Sequence, residues 1–298
     1  MSRTLFVRKK KPLMFIPYWL CLPAIVLFLG FVLVPSISSI YYSLTSWDGI
    51  SRNMDFIGLR NYVDIFKSER FWNSFRNTLF FTIALTIIEN VVALSLALLV
   101  NKLRRTQTLF RSIFYLPNLL SGIVTGYIWV ALMNYTFGVI NQMFNSIGLP
   151  SVDWLGNPDL ALWSVIFVMV WKSSGYYMII YIAGLSGIPK ELIEASQIDG
   201  ASGWRQFVSI TMPLLASTFT INLTLSLIGG LRVFDQIVAM TSGGPGFATE
   251  TITYQIFSVA FSEGKQGYGT ALAILLFLIT MVFTGLQSWV TRHFEVEA

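Results

Sequence analysis

Four ionisable side chains interrupt stretches that are otherwise apolar: Glu89, Lys172, Arg232 and Asp235. Asn90, Asn118, Asn222, Ser173 and Ser226 lie in the same stretches. Groups of these types bind polar partners by charge and hydrogen bonding. In hydrocarbon they are costly unless they face a protein interior or a water-filled cavity. Arg232 and Asp235 are three residues apart, so on a continuous helix they share a face and can pair. A structural ion pair and a ligand contact both fit that spacing. Trp171-Lys172-Ser173-Ser174-Gly175-Tyr176-Tyr177 breaks an apolar run with aromatic rings, hydroxyls and one cation. Such an interruption either forms a binding site or, through its small residues, lets helices approach closely.

Bond-making chemistry finds no support. No GxxxxGK[ST] phosphate loop exists, and the single Gly-Lys pair, Gly264-Lys265, lacks the spacing. HExxH and GxSxG are absent as well. One histidine (His293) and one cysteine (Cys21) exclude a His-based metal site and an intrachain disulfide. The expectation is a non-enzymatic chain with no metal and no cofactor of its own.

The elements that hold these groups follow from composition. Hydrophobic residues make up 54% of the 298, and charged residues only 12%. A soluble domain carries about 25% charged residues, so this chain has too little polar surface to cover a core in water. Lipid supplies the missing solvent. Runs near the roughly 20 residues needed to span a bilayer predict six helices: Phe15 to Leu44, Asn77 to Val100, Ser112 to Tyr135, Ala161 to Leu185, Pro213 to Met240 and Thr270 to Thr291. The first is too long for a signal-peptide core and lacks a small-residue cleavage site, so it reads as uncleaved. The fold class is therefore an all-α integral membrane protein. Its segments are a basic tail (1–14), the first span (15–44), an outer loop (45–76), a core (77–292) and a short tail (293–298).

Lys and Arg in the loops orient the spans. Arg3, Arg8, Lys9, Lys10 and Lys11 precede the first span, Lys102, Arg104, Arg105 and Arg111 lie between the second and third, and Lys190 and Arg205 lie between the fourth and fifth. The loop from Thr136 to Leu160 has no basic residue, and the loop after the fifth span has only Lys265. Both termini are expected in the cytoplasm. The net charge of +5 then follows from topology and anionic lipid. It is spread over short loops, with no contiguous basic domain for nucleic acid.

The segment Pro189–Pro213, PKELIEASQIDGASGWRQFVSITMP, is polar yet lies between two spans. Pro189 suits a helix start, and Glu191 and Glu194 favour its electropositive first turn. Asp199-Gly200 ends that helix, and a second restarts near Ser202. An elbow across the cytoplasmic surface results. It reads either as a wedge that another protein pushes or as an amphipathic interfacial linker.

The spacing Glu194-Ala195-Ser196, Asp199-Gly200-Ala201 and Ile210-x-x-Pro213 resembles the "EAA" loop of ABC importer permeases, with Ser196 where a second alanine is usual. Phe56-Ile57-Gly58-Leu59-Arg60-Asn61-Tyr62, Tyr115-Leu116-Pro117, Trp171-Lys172, Phe234-Asp235, Thr241-Ser242-Gly243-Gly244-Pro245 and Ala248-Thr249 extend the resemblance over nearly the whole chain. Together they are similar to the carbohydrate-importing branch, and to the first of its two permeases, of the maltose and glycerol-phosphate type.

That resemblance implies the type I importer permease fold and a mechanism. A second, homologous permease pairs with this one, and two ATPase subunits sit below and use the ATP. An extracytoplasmic solute-binding protein delivers a sugar or oligosaccharide, which crosses the bacterial or archaeal cell membrane by alternating access. Glu194, Ala195, Ser196, Asp199, Gly200 and Ala201 are implied to couple to an ATPase, with Gly200 forming the turn. Trp171, Lys172, Ser173, Tyr176, Tyr177, Ser226, Gly229, Gly230, Arg232, Val233 and Asp235 are the expected substrate-lining residues. Aromatic faces and hydroxyl groups together suit the apolar faces and hydroxyl rims of sugars. An importer of glycerol-phosphate-like or other polar solutes is the nearest alternative. A stand-alone secondary transporter, from a different class, needs no ATPase-docking elbow.

Overall fold

A computed structural model describes residues 21–51, 54–103 and 105–292. The basic tail, the start of the first span, Arg104 and His293 fall outside the described residues.

Among the described residues, four helices are long and apolar enough to cross a membrane: α1 (Leu22–Ser43), α3 (Glu69–Asn101), α7 (Pro158–Ser186) and α13 (Gln266–Arg292). Two bent pairs complete a set of six: α4 (Gln107–Leu119) with α5 (Gly122–Leu132), and α9 (Gly203–Leu214) with α10 (Ala216–Leu231). Shorter helices occupy the connections: α2 (Arg60–Lys67), α6 (Val139–Ser146), α8 (Lys190–Ile198), α11 (Asp235–Met240) and α12 (Ile252–Ser262).

Several expected bounds move, each for a local reason. α3 begins at Glu69 and not at Asn77. Ser68 caps it by accepting the Phe71 N–H at 3.3 Å, and Glu69 favours its positive end. The third span is not one helix. Pro117 cannot donate to the helical ladder, Leu116–Leu119 tighten into a 3₁₀ turn, and Leu120 is extended at ψ 142°. The chain turns by 94° there. Tyr115-Leu116-Pro117 therefore ends α4 and does not open a span.

The fifth span is broken twice. Pro213 does not open it but sits inside α9, after the widened π-turn Phe207–Thr211, which accommodates a ring that clashes with the preceding turn. The chain bends by 70° before α10. Arg232 then leaves the helix at φ −109°, ψ 15°, Phe234 is at φ −139°, and α11 restarts at Asp235. Arg232 and Asp235 thus belong to different elements, and no salt bridge joins them.

Three apolar clusters follow α3, and α7 shares two of them. Phe81 and Leu85 of α3 pack with Val165, Ile166 and Val168 of α7 and with Ile237 and Met240 of α11. Toward the elbow, Ala93, Ala97 and Val100 meet Met178, Tyr181 and Ile182. At the opposite end, Ile65 and Phe71 meet Ile252, Val259 and Leu272. α3 and α7 therefore run in the same direction, with α4 and α5 returning between them in the chain. Gly175 permits closest approach: a β-carbon there would overlap the carbonyl of Phe114. α1 is exposed along Leu22–Leu33, whereas its second half, Val34–Ser43, packs on α13 and buries Ser43.

Candidate functional site

The polar residues at mid-depth assemble around Glu89. Its carboxyl group, 1% exposed, accepts hydrogen bonds from Ser173 of α7 and Ser226 of α10. One buried side chain on α3 thus ties three spanning helices, with no basic partner in salt-bridge range among the described residues. Two further bonds support the tie. Tyr181 donates to Asn90 at 2.7 Å, and Asn222 donates to the Tyr177 carbonyl at 3.2 Å.

The expected lining residues divide around this knot. Ser226, Gly230, Val233 and Tyr177 are buried. A β-carbon at Gly230 would lie 2.9 Å from the Thr82 α-carbon, so this glycine lets α10 press on α3. Val233 belongs to the central apolar cluster. Ser173 is half-buried and committed to Glu89. Trp171 and Tyr176 on α7, Gly229 on α10 and Arg232 just past its end remain exposed, and Lys172 and Asp235 are half-buried. Lys172 reaches back to the Asn118 carbonyl at 3.4 Å, across the break between α4 and α5. The Asp235 carboxylate rests against Gly122, whose added β-carbon would meet it at 2.5 Å. It sits at the positive end of α5, a favourable place for an anion. Together the exposed and half-buried residues supply two aromatic rings, two cations and one carboxylate, groups that bind a polar solute without transforming it.

The elbow is a second, separate site. α8 ends in a Schellman turn: Ala201 N–H bonds to Ser196 O at 3.0 Å, and Gly200 N–H to Gln197 O at 3.1 Å. Gly200 sits at φ +75°, which side chains resist. Ser202 caps α9 by accepting from Arg205 N–H at 3.4 Å. Gln206 then reaches across the corner to Ser196 Oγ at 2.7 Å and to Ile193 O at 3.1 Å. Glu194, Ala195, Asp199 and Gly200 are exposed, Ser196 is buried and Ala201 is half-buried. The elbow lies beside the ends of α3 and α7, over a hollow lined by Lys102, Leu185, Glu194, Trp204 and Phe207.

A third cluster went unnoticed in the sequence. Arg70, in the first turn of α3, pairs with the fully buried Glu250 at 2.6 Å and with Glu263 at 2.5 Å. Asn73 and Asn77 donate to the Phe247 carbonyl at 2.8 and 3.1 Å. These bonds fasten the Thr241–Glu250 loop to α3. The available hint was Glu250 itself, a lone carboxylate in a neutral stretch. Asn61 plays a comparable part in the Phe56–Tyr62 segment, donating to the carbonyls of Ser43 and Thr45 at 2.8 and 2.9 Å.

With this arrangement in view, residues 89–296 match the family described as "Binding-protein-dependent transport system inner membrane component". The chain belongs to that family. It is accordingly a multi-pass inner-membrane component of a transport system, a permease and not an enzyme. It is 40% identical over 281 residues to the "Probable starch degradation products transport system permease protein AmyD" of Thermoanaerobacterium thermosulfurigenes, covering 94% of this chain and 95% of that one. It is 34% identical to the "Trehalose/maltose transport system permease protein MalF" of Thermococcus litoralis, covering 90% of each. Its fold matches a bacterial alginate ABC transporter, solved with an alginate pentasaccharide-bound periplasmic protein, at a TM-score of 0.83 and 26% identity over 93% of each chain.

Proposed function

We propose that this chain is one of two permease subunits of an ATP-driven importer that moves a sugar or oligosaccharide into the cytoplasm. Two ATPase subunits and an extracytoplasmic solute-binding protein complete the machine. The observation that carries this reading is the elbow: a capped, hydrogen-bonded corner, exposed at the end of α3 and α7, on a chain with no phosphate loop of its own. Glu194, Ala195, Asp199 and Gly200 present the surface that an ATPase cleft takes, and Ser196 and Ala201 hold its shape. Closure of the ATPase pair moves two such elbows together, and the permeases rock to open the cavity outward.

Trp171, Lys172, Tyr176, Gly229, Arg232 and Asp235 form the face turned to the sugar, and Ser173, Tyr177, Ser226, Gly230 and Val233 support it from behind. The names of the relatives, which concern starch products, trehalose or maltose, and alginate, support the carbohydrate class. Both termini lie in the cytoplasm by the distribution of basic residues.

The test is reconstitution. Expressed with its genomic neighbours, the chain copurifies with an ATPase and a second permease, and ATP hydrolysis in vesicles rises when sugar-loaded binding protein is added. Sugar uptake by the chain alone, without an ATPase, sinks the proposal.

A further inference from the structure

At the end of α3 away from the elbow, a hollow of about 500 Å³ opens between α2, α12 and the start of α13. Its size is that of a small-molecule site. Trp47, Asn61, Gln255, Val259 and Tyr268 are among its walls. None of the residues assigned to the sugar face of α7 and α10 lines it. The packing of α13 on α2, α12 and the second half of α1 builds it within this one chain.

Two amides set its chemistry. Gln255 is 1% exposed and Asn61 is 7% exposed, so this chain alone buries both. Asn61 spends its amide protons on the carbonyls of Ser43 and Thr45, and its Oδ1 accepts no hydrogen bond among the described residues. The Gln255 side-chain amide makes none there either, and its Oε1 is left without a donor. Buried polar groups are nearly always bonded, and one left unmade is costly. The charges in the lining are matched by contrast. Glu263 meets Arg70 at 2.5 Å and Lys265 at 3.1 Å, and Asp64 meets Arg60 at 3.9 Å. What is missing is therefore a neutral partner that both donates and accepts. The rings of Trp47 and Tyr268 add apolar wall, and Tyr42 fixes the indole by stacking on it at 4.6 Å. Hydroxyl groups on an apolar ring meet each of these demands. We infer that the hollow is a second sugar site, separate from the translocation face, where one hydroxyl donates to Asn61 Oδ1 and another bonds the Gln255 amide. The inference rests on the sugar-import reading above. A bound sugar joins α2 to α12 and α13 on the outer surface.

Photolabelling tests this. The full chain, with the subunits that copurify with it, is illuminated in vesicles with maltose and trehalose that carry a diazirine, and adducts are mapped by peptide mass spectrometry. Adducts are expected on the segments 46–64 and 255–268, and excess unlabelled sugar displaces them. Gln255→Leu removes an amide that makes no bond in the chain, so its melting temperature should hold or rise. Its labelling at the hollow should fall about tenfold, the effect of one or two hydrogen bonds. Ser46→Trp, placed at the exposed rim, should block the hollow and leave adducts on α7 and α10. Adducts on α7 and α10 alone would overturn the second site and leave the import reading standing. Absence of adducts at the hollow with either probe, adducts there that free sugar does not displace, or full labelling in Gln255→Leu would overturn it as well. Loss of sugar-stimulated ATP hydrolysis in the unmodified complex strikes the import reading itself.

Discussion

Gln206 donates its side-chain amide to the hydroxyl of Ser196 across 2.7 Å, closing the corner between α8 and α9. The same amide reaches Ile193 O, so two bonds converge on one side chain. Each is worth about 0.5–1.5 kcal/mol. Gln206→Ala is expected to loosen the corner, keep membrane insertion, and lower sugar-stimulated ATP hydrolysis more than basal hydrolysis. Ser196→Ala keeps the Ile193 contact and should have the milder effect. Equal and full stimulation in both variants counts against a mechanical role for this contact.

Gly200 separates backbone shape from surface chemistry. Open space surrounds it, so its φ of +75° is the constraint. A β-branched residue there costs at least about 1–2 kcal/mol of left-handed strain, whereas asparagine tolerates that region. Gly200→Val is expected to abolish transport and coupled ATPase activity while the protein still inserts, and Gly200→Asn to retain a substantial part. Undiminished transport by the valine variant removes the elbow from the mechanism.

Glu89 is a structural tie in which bonding capacity matters. Glu89→Leu deletes the acceptor of two serines, and hydrogen bonds between membrane helices are worth about 0.6–2 kcal/mol each. A loss of about 1–3 kcal/mol, seen as a lower melting temperature in detergent, is expected. Glu89→Gln retains an amide oxygen and should recover most of it.

Gly229 and Gly230 are neighbours with opposite sensitivities. A β-carbon at Gly229 meets one atom, the Tyr177 hydroxyl at 3.9 Å, whereas at Gly230 it meets the Thr82 backbone at 2.9 Å. Gly230→Ala is expected to lower thermal stability, because α10 must move off α3. Gly229→Ala is expected to leave stability unchanged and to alter only the sugar dependence of transport. Lys172→Ala and Tyr176→Ala should behave like the Gly229 variant.

Acid should weaken the outer ion cluster. Partial burial raises the Glu263 carboxyl, but hydrogen bonds from Arg70 and Lys265 outweigh it and hold the group below its ordinary range. A carboxylate held low in the folded state adds stability above its unfolded titration and loses it as pH falls through the folded one. Melting temperature is expected to drop on acidification through the carboxylate range, and Glu263→Gln should flatten that part of the profile. Parallel profiles for the two proteins would exclude Glu263 as the source.

The helical, membrane-spanning class was legible because hydropathy depends on composition over some 20 residues and needs no partner. The corner at Gly200 was legible too, since a glycine after an amphipathic turn acts locally. Pro117 is visible inside one predicted span and Pro213 at the start of another, yet the first breaks its span and the second sits inside α9. Whether a proline starts, widens or breaks a helix depends on what supports the freed carbonyls nearby.

The sequence by itself determined the solvent of this protein, its transport family and the position of its exposed elbow. All three rest on local composition or contiguous motif. Only the tertiary structure decided which polar groups meet. Glu89, Ser173 and Ser226 are separated by 84 and 137 residues from carboxylate to hydroxyl, and Arg70 finds Glu250 across 180. It also parted Arg232 from Asp235, which helical spacing alone would let pair. Side-chain pairing over such distances depends on how helices stack and where they bend, and neither quantity is written in any one segment.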